Sequence, residues 1–306
     1  MALPKPDIKR EYNTIDYERL KSLPLGDEII NFCSVILKNF DDSYLDNFYN
    51  NINSINIIIN PYDNNHKNCY DGIENTIYLE REEDKNFIYH ELFHMASTTY
   101  KDDIIYCGFA QNNVFFTEGR GISEGYTELL TKKYFRKDND DKEVYYEEVL
   151  FTKFIESIVG EDKMTQLFFT SNLEGLITEL SKYQKLEKVT DFIDNLDLFT
   201  ANRYHNLSFE DKDEVETFLE LHKEIREFLL NTYINKVAKE INNSNKTKEE
   251  KEKDIELLIE YIYDIVDTSI VLNTETKEEI EVLSFDYIED SISRGLGIEK
   301  IKLFEK

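Results

Sequence analysis

His90-Glu91-Leu92-Phe93-His94 is the stretch on which the reading of this chain turns. On an α-helix, residues i and i+4 share a face. The two imidazoles then stand one turn apart and reach a single cation, while Glu91 lies within reach of a water bound to it. Five histidines in 306 residues produce this spacing by chance in roughly one chain per hundred, so the surroundings carry the argument. The segment from Asp84 to Tyr100 predicts a helix. Asp84 stands at the N-cap, and Phe87, Ile88, Leu92, Phe93, Met95 and Ala96 form a broad apolar surface that implies burial. The spacing points to metal-assisted hydrolysis. The competing reading makes His90 and His94 hydrogen-bonded core residues and Glu91 a solvated acid; a second motif weighs against it.

A hydrolytic zinc site needs three protein ligands and one open position. The remaining histidines are His66, His205 and His222, and Cys33, Cys69 and Cys107 form no CxxC pair. A metzincin would need glycine at 97 and histidine at 100, where this chain has Ser97 and Tyr100. A carboxylate on a following helix is the other common solution. Gly121-Ile122-Ser123-Glu124-Gly125-Tyr126-Thr127-Glu128-Leu129-Leu130 offers Glu124, with Glu128 one turn later. Carboxylates at this spacing repel by roughly 0.2–0.5 kcal/mol unless a cation offsets them. Glu118, in Thr117-Glu118-Gly119, is the chief competitor as third ligand and reads as a loop acid.

Together the two motifs resemble the gluzincins, the zinc peptidases that include the thermolysin-like proteases and the aminopeptidases with an Asn-Glu-Gly helix. The resemblance implies one Zn²⁺ held by His90, His94 and Glu124. It also implies Glu91 as general base and Glu128 as the acid that orients His90. The implied fold is α+β and mostly helical: a zincin-like catalytic lobe with a small sheet and two metal-binding helices, followed by a helical lobe. Ser123 stands where asparagine is usual, and the gap between the motifs is longer than in the best-known members. The likeness is therefore at clan level and covers about residues 75 to 135. A loop or hairpin from Lys101 to Arg120 would fill that gap, with Ile104 to Tyr106 and Val114 to Phe116 as strand-like runs. In zincins the strand before the metal helix is an edge strand that pairs with extended substrate. Thr76-Ile77-Tyr78-Leu79-Glu80 is the corresponding candidate, against the plainer reading of an ordinary edge blunted by Glu80 and Arg81. A Tyr or His from the helical lobe stabilises the oxyanion in similar enzymes. Tyr204 and His205 are the candidates, because Asn202 to Asn206 clusters donors in a loop-like segment.

The rest of the chain is read from pattern alone. Strands are expected at Ile55 to Ile59 and Thr76 to Glu80, and a long or broken helix at Asp27 to Asn50. After the charged run Arg136 to Glu143, read as a hinge, helices dominate. The expected division is a catalytic lobe over 1–136 and a helical lobe over 137–306 that completes the cleft. With 63 acidic against 36 basic residues, the formal net charge is −27, which argues against nucleic acid or an anionic membrane surface as partner. A peptide or protein substrate is expected. Oligomeric state is not legible. Three unpaired cysteines, no signal peptide and no run long enough to span a bilayer predict a cytoplasmic protein. The alternative from another class is a protein that binds peptides on the same scaffold without turnover. The intact Glu91 argues against it, since a non-catalytic binder has no physical need of that base.

Overall fold

A computed structural model describes residues 14–59, 68–81, 87–113, 116–136, 145–204, 212–265, 269–273, 278–281 and 283–297. The architecture is α+β, mostly helical with small sheets. Contacts divide the chain into two compact units. The first comprises Met1–Phe116, Leu130–Lys142 and Gln166–Asn172; the second comprises Thr117–Leu129, Glu143–Thr165 and Leu173–Lys306. Among the described residues, no helix is long and apolar enough to cross a membrane.

The first unit begins with α1 (Tyr17–Ser22), α2 (Gly26–Asn39) and α3 (Asp46–Ile52), so of the long or broken helix expected at Asp27 to Asn50 the structure has the broken form, with a 3-10 turn at Asp42–Tyr44. Three strands follow: β1 (Asn56–Ile59), β2 (Cys69–Asp71) and β3 (Thr76–Leu79). β3 is central. It pairs in parallel with β1, Ile57 opposite Ile77, and antiparallel with β2, Tyr70 opposite Ile77. This corrects the expectation for Thr76, Ile77, Tyr78, Leu79 and Glu80. Both hydrogen-bonding edges of β3 are occupied and all four of its residues are buried, so it has no edge to offer an extended substrate.

Helix α4 (Ile88–Ala96) carries the histidine motif and is shorter than its apolar pattern predicts; Asp84 lies outside the described residues. Its C-terminus is closed by side chains. The Ser97 hydroxyl donates to the Phe93 carbonyl at 2.9 Å and that of Thr98 to the His94 carbonyl at 2.7 Å. From α3, Asn51 Nδ2 donates to the carbonyls of Met95 and Thr98 at 2.9 and 2.7 Å. The chain then turns into β4 (Thr98–Lys101), paired antiparallel with β5 (Ile104–Cys107), which pairs with β6 (Ala110–Asn112). The β4–β5 loop is Asp102-Asp103, with φ of 53° and 62°. Two successive positive φ values define the type I′ hairpin, for which short polar residues are suited. The strand expected at Ile104 to Tyr106 is β5, whereas Val114 and Phe115 lie outside the described residues.

Buried aromatic rings hold this unit together. Phe93 on α4 meets Phe32 edge-on at 5.0 Å between centroids, and Phe40 meets Phe169 at 4.8 Å. Phe135 stacks on Tyr89 at 4.1 Å and 10° and lies 5.9 Å from Phe93. Phe135 closes α5 (Arg120–Phe135), so the last turn of that helix is bolted to α4.

The second unit contains β7 (Thr117–Glu118), the start of α5, α6 (Tyr146–Val159), most of α7 (Glu161–Phe169), α8 (Leu173–Leu180), α9 (Leu186–Tyr204), α10 (Lys212–Asn243) and α11 (Lys248–Ile265). The β8 (Ser269–Asn273) and β9 (Glu278–Glu281) hairpin and α12 (Phe285–Leu296) complete it. Helical dominance after residue 144 follows the 3-to-4 apolar spacing. Leu230, Ile234, Leu258, Ile262, Ile288 and Ile292 form one core across α10, α11 and α12. Among the described residues from Ser269 onward, the chain forms the β8–β9 hairpin and then α12. Most of the hinge expected at Arg136 to Glu143, its residues 137–143, lies outside the described residues.

Candidate metal centre

Helix periodicity brings His90 and His94 to one face of α4, with Nε2 atoms 3.1 Å apart and rings inclined at 72°. Two Nε2 atoms at that distance are compatible either when one donates to the other or when both lone pairs face a shared cation. Tetrahedral zinc with bonds near 2.05 Å sets neighbouring ligand atoms roughly 3.3 Å apart, which the imidazole pair matches. Glu124 joins them. A carboxylate oxygen of Glu124 and one nitrogen from each histidine all lie within 4.8 Å of one another, so the His-His-Glu cluster could hold a metal ion. Among the described residues, no fourth His, Cys, Asp or Glu extends this cluster. Glu118, on β7, is not part of it.

The second side of His94 is held by a residue that the sequence reading passed over. β4–β5 pairing sets Thr98 opposite Cys107, which returns Cys107 to the last turn of α4. Cys107 Sγ lies 3.3 Å from His94 Nδ1 and 3.6 Å from its carbonyl oxygen. With Nδ1 engaged by sulfur, Nε2 is the nitrogen presented toward His90. Only the hairpin register could have signalled this, because nothing marks Cys107 as a partner of His94 by spacing alone.

Glu91 is buried on α4 with 6 % of its surface exposed, next to the two buried histidines. Its charge is felt by β2: burial pushes the Cys69 thiol up to about 11, and the Glu91 carboxylate adds to that rise. Glu91 thus stands in a poorly solvated region, where a carboxylate interacts strongly with protons and charges nearby.

Helix α5 explains the second motif. A Cβ on Gly121 would meet the Leu196 carbonyl oxygen at 2.7 Å, and one on Gly125 would meet that of Glu148 at 2.4 Å. Those glycines, one turn apart, let the backbones of α9 and α6 touch α5. Tyr126 is buried beside them, its hydroxyl 3.0 Å from both Glu156 Oε1 and Thr165 Oγ1. Glu124 keeps partial solvent access and pairs with Arg120, whose Nε lies 3.9 Å from Glu124 Oε1. This ion pair competes with a metal for that oxygen. Glu128, one turn on, is fully buried. A buried carboxylate requires charge or hydrogen-bond compensation.

Tyr204 is the last residue of α9, so the segment Asn202 to Tyr204 is helical where a loop was expected; His205 lies outside the described residues, as does His66. His222, on α10, belongs to a different environment: Nε2 lies 3.3 Å from Glu147 Oε2, Nδ1 accepts from Arg226 Nε at 3.0 Å, and the ring packs against Phe151, Phe199 and Phe218. Burial holds its pKa below the ordinary histidine value. The three described cysteines are free thiols. No protein-family profile matches this chain, and neither a curated protein nor a solved structure matches it.

Proposed function

We propose that this chain is a zinc-dependent peptidase of gluzincin type. The observation that carries the reading is the convergence of His90 and His94 on α4 with Glu124 on α5, the next helix in sequence, with the buried Glu91 next to His90. The donor set suits zinc: two imidazole nitrogens, one carboxylate and three protein ligands rather than four. Zinc bound there would act as a Lewis acid and bring the pKa of a coordinated water toward neutrality.

The chain's own residues would do the rest. Glu91 accepts the proton of the attacking water and returns it to the departing amine, a role favoured by its burial. Cys107 holds the His94 ring through Nδ1. Glu128, buried one turn from Glu124, is assigned to orienting His90. Arg120 offsets the Glu124 charge before a metal binds. A net charge of −27 favours cationic or neutral peptides over anionic ones. The absence of a fourth His, Cys, Asp or Glu ligand among the described residues and an intact Glu91 favour hydrolysis over a structural metal or a peptide binder without turnover.

The test is cleavage of a mixture of unfolded proteins, with products read by mass spectrometry. The wild-type chain is expected to generate new peptide termini, to stop when zinc is chelated and to resume when zinc is restored. Glu91→Gln is expected to keep its metal and cleave nothing. Turnover by Glu91→Gln at the wild-type rate, or no product from the metal-loaded wild type, would remove the proposal.

A further inference from the structure

The residue before helix α5 is a glycine. Gly119, which precedes it with φ of 74°, has no side chain to offer the first amides. The acceptor comes from α9 instead: Asp197 takes the Gly119 amide on Oδ2 and the Gly121 amide on Oδ1, each at 2.7 Å. The backbone of α9 closes on the same turn, leaving no room for a side chain at Gly121 between the Leu196 carbonyl and the Thr200 hydroxyl. Glu124 is one turn beyond this clasp. We propose that Asp197 is a positioning residue of the metal site, its carboxylate fixing the first turn of α5 and so the place at which Glu124 presents its oxygens. This rests on the reading of Glu124 as a ligand.

The electrostatics set this carboxylate apart from an ordinary cap. Burial pushes the Asp197 pKa up to about 6 against the pull of the two amides, and the nearby charges of Asp194 on α9 and Glu118 on β7 raise it further. A carboxyl group with a raised folded-state pKa favours folding fully below its unfolded value, and that contribution is lost as pH rises through about 6. Near neutrality, ionised Asp197 is therefore retained at the expense of stability, a pattern typical of functional sites. Protonation leaves one oxygen as a hydroxyl, a poor acceptor for the second amide, so the clasp loosens in acid.

The experiment uses the full chain with Co²⁺, whose visible absorption reports its ligands, and Zn²⁺ affinity by chelator competition. At pH 7.5, Asp197→Asn is expected to weaken Zn²⁺ binding at least tenfold, within the ~10 to 100-fold range of outer-sphere groups. It should also shift the Co²⁺ spectrum toward that of Glu124→Ala. Added to Glu124→Ala, it should weaken binding no further. The gap between wild type and Asp197→Asn should narrow as pH falls through 6. Gly119→Ala leaves Asp197 intact but puts a side chain on the positive-φ turn, and should shift the spectrum the same way even if Asp197→Asn does not fold. Wild-type spectra and affinities in both variants would overturn the proposal, as would an equal loss from Asp197→Asn with and without Glu124. Failure of the wild-type chain to take up either metal would sink the zinc reading itself, an outcome these comparisons keep distinct.

Discussion

Cys107 Sγ and His94 Nδ1 lie 3.3 Å apart, on the opposite side of the imidazole from the nitrogen that faces His90. With its S–H directed at the His94 carbonyl oxygen, this sulfur can accept from Nδ1–H, the tautomer that leaves Nε2 bare for a metal. Cys107→Ala is expected to leave the fold intact and to weaken zinc binding by about tenfold, at the lower end of outer-sphere effects. Isothermal titration in the presence of a competing chelator measures this. Unaltered affinity would make the thiol a packing residue.

The glycines of the second motif are structural. A methyl group at Gly125 would sit 2.4 Å from the Glu148 carbonyl oxygen and 2.8 Å from Thr152 Cγ2, so α5 and α6 must separate to admit it. Overpacking of this kind costs about 1–3 kcal/mol. Gly125→Ala should lower the free energy of unfolding by that amount in urea denaturation. An unchanged midpoint would show that the close approach is not required.

The buried group around His222 predicts a pH dependence unconnected with metal. Burial lowers its pKa in the folded chain, so the unfolded chain binds more protons between that lowered value and 6.5. Stability should rise with pH across this window and fall as the solution is acidified. His222→Gln can still accept from Arg226 and face Glu147 with an amide, but it does not titrate. Its melting temperature should therefore change less between pH 6.5 and 5 than that of the wild type. An equal slope in both proteins would assign the acid sensitivity elsewhere.

Local pattern carried most of the helical architecture. Apolar spacing located α4 and the helices after residue 144, the second motif marked α5, and the i, i+4 rule placed His90 beside His94. Pattern failed where pairing decides the outcome. Thr76 to Leu79 reads as a strand, yet whether a strand is central or at an edge depends on partners as distant in sequence as Asn56. The end of α4 was overrun for a related reason. Ser97 and Thr98 continue the apolar helix in sequence, but their hydroxyls cap its carbonyls while Thr98 joins β4. Cys107 and Asp197 could not be found by spacing at all, since each acts on a residue brought near only by tertiary structure. Gly121 and Gly125 were visible as letters of a motif, but their purpose, backbone contact with α9 and α6, emerges only from packing.

The zinc stoichiometry and affinity of the chain, compared with its His90→Ala, His94→Ala, Glu124→Ala and Glu118→Ala variants, test the central claim most directly. The wild type should bind one zinc ion. Removal of His90, His94 or Glu124 should each cost more than the roughly 100-fold that outer-sphere groups command, and Glu118→Ala should bind like the wild type. Undiminished zinc uptake by Glu124→Ala, or its loss in Glu118→Ala, would contradict the assignment of the site.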